Sequence, residues 1–145
     1  MESITIKQIQ VDSPEYSQVY DLREEVLRKP IGLSLAGEDL SADKDDIILV
    51  AQEAEKVVGC IMLQHKDPEI IKFRQMAVAK ELQGKGIGNE IMIAAEALSK
   101  EKGYTKVALH ARETAARFYS KLGYSITSPL FTEVGIPHYV MVKDI

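Results

Sequence analysis

Residues 83–88 read Gln-Gly-Lys-Gly-Ile-Gly, three glycines in five positions with a lysine among them. Glycine tolerates positive φ and lets a backbone approach a ligand closely. A helical apolar pattern starts at Ile87, so the unpaired N–H groups and positive dipole end of a helix would face whatever the turn encloses. That combination suits an anion, most naturally a phosphate, and Lys85 adds a formal charge. Gln83, Gly84, Lys85, Gly86, Ile87 and Gly88 are therefore the candidate cradle. A plain connection between strand and helix rarely needs glycine at three alternating positions.

Two familiar phosphate-binding patterns do not fit. A P-loop needs Gly-Lys-Ser/Thr at its end, whereas Gly88 precedes Asn89 and Glu90. A dinucleotide fingerprint needs G-x-G-x-x-G and an acid at the end of the next strand, and here the next strand ends at His110. Magnesium-nucleotide and nicotinamide-nucleotide chemistry are disfavoured, and no metal ion is expected.

The turn requires a strand before it and a helix after it. Residues 70–78 alternate sufficiently to be the strand. Over 86–102, Ile87, Ile91, Ala95 and Leu98 line one face, Glu96 and Lys100 stand at i,i+4 spacing, and Gly103 can close the helix. Upstream, Ile4 and Ile6 fall on one alternation and Ile9 and Val11 on the other, which predicts a strand with an irregularity near Lys7. Asp12 or Ser13 offers a cap for a first helix, in which Tyr16, Val19, Tyr20, Val26 and Leu27 recur until Pro30. Residues 31–46 read as a long loop with room for one short helix. The apolar runs 47–51 and 57–63 form an antiparallel hairpin. Residues 106–110 read as a buried strand, and 114–122 as a helix with Ala115, Phe118 and Leu122 on its core face. Two last strands fall near 124–127 and 138–143. A strand-helix-strand unit at 70–110 demands a parallel crossover while the hairpin is antiparallel, so the order predicts one mixed α/β (α+β) domain over residues 1–145.

Composition sets the frame. A chain of 145 residues holds one sizeable core, and 46% hydrophobic with 28% charged residues is globular, which excludes collagen-like and disordered classes. No apolar run approaches the ~18 residues of a membrane span, and MESITIKQIQ lacks a basic-then-apolar leader. The lone Cys60, inside VVGCIML, can form no internal disulfide and reads as a buried structural thiol. A cytoplasmic protein is expected. The net charge of -4 supplies no bulk attraction for nucleic acid or an anionic membrane, and neither is expected as a partner. Locally, 31–46 carries Glu38, Asp39, Asp43, Asp45 and Asp46 against Lys44, while 66–85 is net positive.

The pattern Q-x-x-G-x-G from Gln83 to Gly88, the strand RQMAV before it and the helix ETAARFYSKLGY after it occur in the order and spacing of the GNAT superfamily of acyl-CoA-dependent N-acetyltransferases. The chain resembles that family over nearly its whole length, and LREEVLRKPIGL and GIPHYVM resemble its small bacterial members. The resemblance implies a mixed central sheet of about six to seven strands, flanked by helices and splayed in a V at the cofactor site. It implies acetyl-CoA as cosubstrate, its pyrophosphate on residues 83–88 and its pantetheine arm along Met76, Ala77 and Val78. A backbone N–H of Ala77 or Val78 would meet the oxyanion. Tyr119 matches the tyrosine that many members place beside the sulfur, where a protonated phenol can donate to the departing thiolate.

The base is less evident. The strand before the turn presents Lys72, Phe73, Arg74, Gln75 and Met76 and no carboxylate. His110 stands where the family often has an asparagine contacting the cofactor. His110 and His138 are the candidate proton acceptors, with Glu133 a third. The expected reaction moves acetyl from acetyl-CoA to a primary amine, on a small molecule or a peptide, by direct attack in a ternary complex. The resemblance also makes the acidic stretch 31–46 a candidate wall of the acceptor pocket, which would favour cationic amines. The alternative is a non-catalytic acyl-CoA-binding or regulatory module. An edge strand near the C-terminus leaves a homodimer open.

Overall fold

The computed structural model describes residues 3–145. Met1 and Glu2, on which the leader reading partly rests, lie outside the described residues. The elements run β1 (Ile4–Ile9), α1 (Tyr16–Arg23), β2 (Ile47–Glu53), β3 (Lys56–His65), β4 (Ile70–Val78), α2 (Ile87–Glu101), β5 (Lys106–Arg112), α3 (Ala116–Lys121), β6 (Ser125–Ile126), β7 (Phe131–Glu133) and β8 (Ile136–Asp144). The described residues form eight strands against the expected six to seven, the additional one being residues 131–133, too short to carry a periodic signal.

The contacts divide the chain into two compact units, one holding the described residues up to Gln64 with Gln75–Ala95, the other His65–Arg74 with Glu96–Ile145. Strand β4 therefore contributes to both. In the first unit, β1, β2 and β3 pair antiparallel in that order. The β1–β2 register is unbroken from Ile4↔Glu53 to Ile9↔Ile48, so the irregularity expected near Lys7 is absent. Ile9 is buried at the strand's last position, and this accounts for the change of alternation without a bulge. The bulge lies instead between Ala51 and Gln52 of β2. Gly59 of β3 answers to packing: a Cβ there would stand 2.6 Å from Ile91 Cδ1 of α2, so glycine is what admits the helix. Ala51 Cβ lies 3.4 Å from the same point, and Ile48, Val50, Ala51, Cys60, Ile61, Met62, Ile91 and Ala95 are buried in this unit.

The first helix is capped differently from expectation. Ser13 Oγ accepts from Gln10 N, and Glu15 occupies the cap position without a capping bond, its carboxylate accepting from Lys7 Nζ instead. After Arg23 the helix widens into a π turn over Glu24–Arg28 and tightens into a 3-10 turn over Lys29–Ile31. Two further 3-10 turns, Leu35–Gly37 and Ser41–Asp45, order the long loop.

In the second unit the order is β4, β5, β8, β6, with β7 also paired to β8. The β4–β5 pair is parallel and runs from Ile70↔Lys106 to Phe73↔Leu109, whereas β5–β8, β6–β8 and β7–β8 are antiparallel. Ile71, Phe73, Val107, Leu109, Ala111, Tyr124 and Met141 are its buried apolar residues. The C-terminal helix is shorter than expected and none of its residues is buried; Tyr124, just after Gly123, fills the core instead. Glu96 does not serve a helix-surface pair with Lys100: its two oxygens accept from Tyr124 Oη and Lys143 Nζ, each at 2.8 Å. Burial and that carboxylate hold the Tyr124 phenol protonated far above its ordinary range.

Candidate active site

Two of the three glycines of the turn take up the positive φ that glycine tolerates, while Gly88 lies in α2 and does not. Gly84 and Gly86 adopt φ of 81° and 88°, left-handed values that disfavour any side chain, and no atom lies within 4 Å of where a Cβ would stand on either. Their conformation therefore serves the path of the backbone and not tight packing. Gly88 belongs to the first turn of α2, whose hydrogen bonds open with Glu90 N to Gly86 O at 3.1 Å. The turn is fixed from below by Gln83, whose Nε2 donates to Val78 O at 3.0 Å, and by Ala79 N donating to Val58 O at 2.9 Å. Ile87 is buried and anchors the helix start, while Gln83, Gly84, Lys85 and Gly86 are exposed. The result is an outward-facing backbone cradle at the positive end of a fifteen-residue helix, able to hold an anion.

Residues 76–78 lead into it; Ala77 is buried, and Met76 and Val78 are half-buried. Just before them, Gln75 has φ of 55°, left-handed geometry inside a strand. Its side chain and its carbonyl are both held. Arg23 Nε donates to Gln75 Oε1 at 3.3 Å, and Cys60 Sγ lies 3.4 Å from Gln75 O. Arg23 is 1% exposed and pairs through Nη1 with Asp43 Oδ2 at 2.8 Å; the same oxygen accepts from Tyr16 Oη at 2.6 Å. Burial, then the Asp43 contact, pushes the Tyr16 phenol up to about 12. Cys60 is fully buried and its thiol is pushed up to about 12, so it is a packing and hydrogen-bonding group and not a nucleophile. The sequence reading missed this network. Its signal was available: Arg23 falls within the stripe Tyr16, Val19, Tyr20, Val26, Leu27, a charge on an apolar face.

In the second unit, Tyr119 is half-buried at the edge of Phe118 and Tyr124, with ring centroids 5.0 and 5.9 Å away. Its hydroxyl meets no hydrogen-bond partner among the described residues. Burial pushes this phenol up to about 12 against a smaller opposing pull from Arg112, so it is a neutral donor at physiological pH. The three remaining candidates converge. His110 Nδ1 lies 2.8 Å from Glu133 Oε2, and His138 Nε2 lies 4.0 Å from Glu133 Oε1. Phe131 sits between the rings, edge-on to His110 at 5.3 Å and stacked on His138 at 6.0 Å. His138 is 4% exposed and its Nδ1 donates to Ile136 O at 2.9 Å, whereas the His110 side chain is 30% exposed.

Two acids of the stretch, Glu38 and Asp43, pair with arginines of their own unit. Glu38 grips Arg28 through both oxygens, at 2.6 and 3.1 Å, and that contact holds its carboxyl below the usual range. Asp43 pairs with Arg23, Asp39 accepts from Ser41 N, and Asp46 is buried. The electrostatic ground for preferring cationic amines is correspondingly reduced. Among the described residues, no group of three or more His, Cys, Asp or Glu side chains is placed to hold a metal ion, and no helix is long and apolar enough to cross a membrane.

The model of the acetyltransferase (GNAT) domain family matches residues 12–145, nearly the whole chain. The chain belongs to this family, an acyltransferase class. The Bacillus subtilis protein named "Uncharacterized N-acetyltransferase YjcF" is 30% identical over 131 residues, 90% of this chain and 93% of that one. YyaT of the same organism is 43% identical over 74 residues, and this match spans 51% of this chain and about half of that protein's length, 50%. Among solved structures, ElaA of Escherichia coli superposes with a TM-score of 0.84 at 18% identity, covering 97% of this chain and 99% of that one. A GNAT family acetyltransferase from Elizabethkingia anophelis with acetyl-CoA bound gives 0.76 at 21% identity, covering 100% of both chains. These likenesses define the fold.

Proposed function

We propose that the chain is one N-acetyltransferase domain that moves an acetyl group from acetyl-CoA to a primary amine by direct attack. The observation that carries this reading is the pair of left-handed glycines, Gly84 and Gly86, opening β4 onto the N-terminus of α2 with free space above both. The acetyl-CoA pyrophosphate is the anion suited to that cradle, supported by the family match and by the acetyl-CoA bound to the Elizabethkingia relative. The β4–β5 ladder ends at Phe73↔Leu109 while β4 continues to Val78, which supports a role for residues 76–78 in pairing with the pantetheine arm.

The amine lone pair attacks the thioester carbonyl carbon, and the electron pair of the C=O bond moves to oxygen. A backbone N–H of Ala77 or Val78 stabilises that oxyanion. Collapse breaks the C–S bond, Tyr119 donates its proton to the thiolate, and solvent reprotonates the phenol. The proton lost by the amine passes to Nε2 of His110. Glu133 supports this role, because its carboxylate accepts from Nδ1–H and so leaves Nε2 with a lone pair. His138, buried and bonded to Ile136 O, is a support for Glu133. The lone buried thiol suits a reducing compartment such as the cytoplasm.

Thermal shifts with acetyl-CoA, desulfo-CoA and NADH test the nucleotide class; the first two should stabilise the protein and the third should not. Thiol release across a panel of amines tests turnover. Binding without thiol release for any amine would replace this reading by a non-catalytic acyl-CoA-binding module, which nothing in the family match or the named relatives supports.

A further inference from the structure

We infer that Arg23 is a positioning residue for acyl transfer: with Cys60 it locks Gln75 of β4 in its left-handed conformation and thereby aims the backbone N–H groups that follow. The inference rests on the acetyl-transfer reading above and deepens it. Among the described residues three other than glycine have positive φ, and Ala54 and Val134 lie in two-residue hairpin turns, whose path itself calls for such values. Gln75 alone lies within a strand, where a left-handed residue is strained and persists only if its surroundings hold it there.

The surroundings do so from two sides. Arg23 reaches the side chain through Nε. Its guanidinium cannot drift, since Nη1 is tied to Asp43, and Asp43 is tied in turn to Tyr16, in a pair whose side chains are 1% and 2% exposed. Cys60 donates to the main-chain carbonyl of the same residue. A trans peptide is planar, with its C=O and N–H pointing in opposite directions. Fixing the Gln75 carbonyl toward Cys60 therefore turns the Met76 N–H away from Cys60 and sets the pleat of residues 76–78. A buried ion pair is a weak device for stability, yet a strong one for holding a single geometry.

Gln75→Gly tests this without disturbing the buried pair: it permits the same φ and removes the amide that Arg23 holds. Gln75→Glu keeps an acceptor for Nε and serves as the rescue. Arg23→Lys keeps the charge opposite Asp43 and loses the fork. Expected are folded proteins whose acetyl-CoA Kd changes less than about threefold, with kcat down at least about tenfold in Gln75→Gly and Arg23→Lys, since small misplacements of reacting groups cost up to about 10²-fold. Gln75→Glu should keep at least about a third of the wild-type kcat on the same scale. In the protein without acetyl-CoA, 15N spectra should show the amides of Met76 and Ala77 displaced in Gln75→Gly and close to wild type in Gln75→Glu. If Arg23→Lys fails to fold, the two Gln75 variants decide alone. Wild-type kcat in folded Gln75→Gly, or loss in Gln75→Glu equal to that in Gln75→Gly, overturns the assignment. Absence of turnover in the wild type would instead strike the acetyl-transfer reading, and the amide displacements would still report whether the clamp exists.

Discussion

Nδ1 of His110 lies 2.8 Å from Oε2 of Glu133, so the carboxylate fixes which ring nitrogen carries the proton and turns Nε2 into the acceptor. His110→Gln should lower kcat/KM by about 10²-fold, the scale of a lost general base. Glu133→Gln, which frees the ring, should produce a smaller loss. His138→Gln should act on stability, because the ring is 4% exposed and bonded to Ile136 O. The measurements are kcat/KM for the amine at saturating acetyl-CoA and thermal melts. An unchanged kcat/KM in folded His110→Gln would hand the amine proton to water.

Gly86 separates two demands on the turn. Its φ of 88° makes any side chain costly by about 1–2 kcal/mol, yet a Cβ meets nothing within 4 Å. Gly86→Ala should therefore fold with a modestly lower Tm. Gly86→Glu carries the same backbone strain and places a negative charge where a pyrophosphate would sit, so it should fold similarly and lose acetyl-CoA binding. Calorimetric titration beside circular dichroism reads both quantities. Unchanged affinity in folded Gly86→Glu would remove the cradle.

Legibility followed range. The cradle was readable because glycine spacing and helix onset lie within six residues, and β4, the hairpin of β2 with β3 and the body of α2 were readable from periodicity. Strand β7 was missed because three residues carry no periodic signal and its pairing to β8 is set by the turn at Val134 and Gly135. The convergence of His110, Glu133 and His138 comes from β5, β7 and β8 meeting in one sheet, information that no local window holds. Likewise the acids of 31–46 looked like a charged surface until Arg23 and Arg28 proved to be buried partners. Registry across distant segments decided all of these.

Val134 is a β-branched residue at φ of 48°, followed by Gly135 at 79°, in the turn that holds Glu133 in place. Such a residue is a conformational outlier there, while asparagine is favoured at the first position of a two-residue turn with positive φ at both sites. Val134 is 37% exposed, so replacement forfeits some apolar cover while it relieves the strain. Val134→Asn should raise stability by about 1 kcal/mol, and the gain should appear as a higher midpoint in urea unfolding with the same slope. A lower midpoint would mean that the valine side chain contributes contacts worth more than the strain it carries.

Tyr119 concentrates the mechanistic claim in one atom. Its ring is packed edge-on against Phe118 and Tyr124, and its hydroxyl forms no hydrogen bond among the described residues, so Tyr119→Phe should leave packing and Tm nearly unchanged. Only the donor disappears. A donor to the departing thiolate strengthens its interaction as negative charge grows on sulfur, hence kcat should fall more than acetyl-CoA affinity, by roughly 10²-fold. The pH dependence follows from the raised phenol. Because its folded value is about 12 against an ordinary 10.0, the folded protein keeps the proton through the range in which an unburied tyrosine would lose it. Turnover by the wild type should therefore show no alkaline decline from Tyr119 up to about pH 10, and any stability linked to this group is whole below pH 10 and lost as pH rises through 12. Stopped-flow thiol release, at a pH where chemistry limits the rate, compares the two proteins directly. Near-normal kcat in a folded Tyr119→Phe would assign the ring to packing alone and leave water as the source of the thiolate's proton.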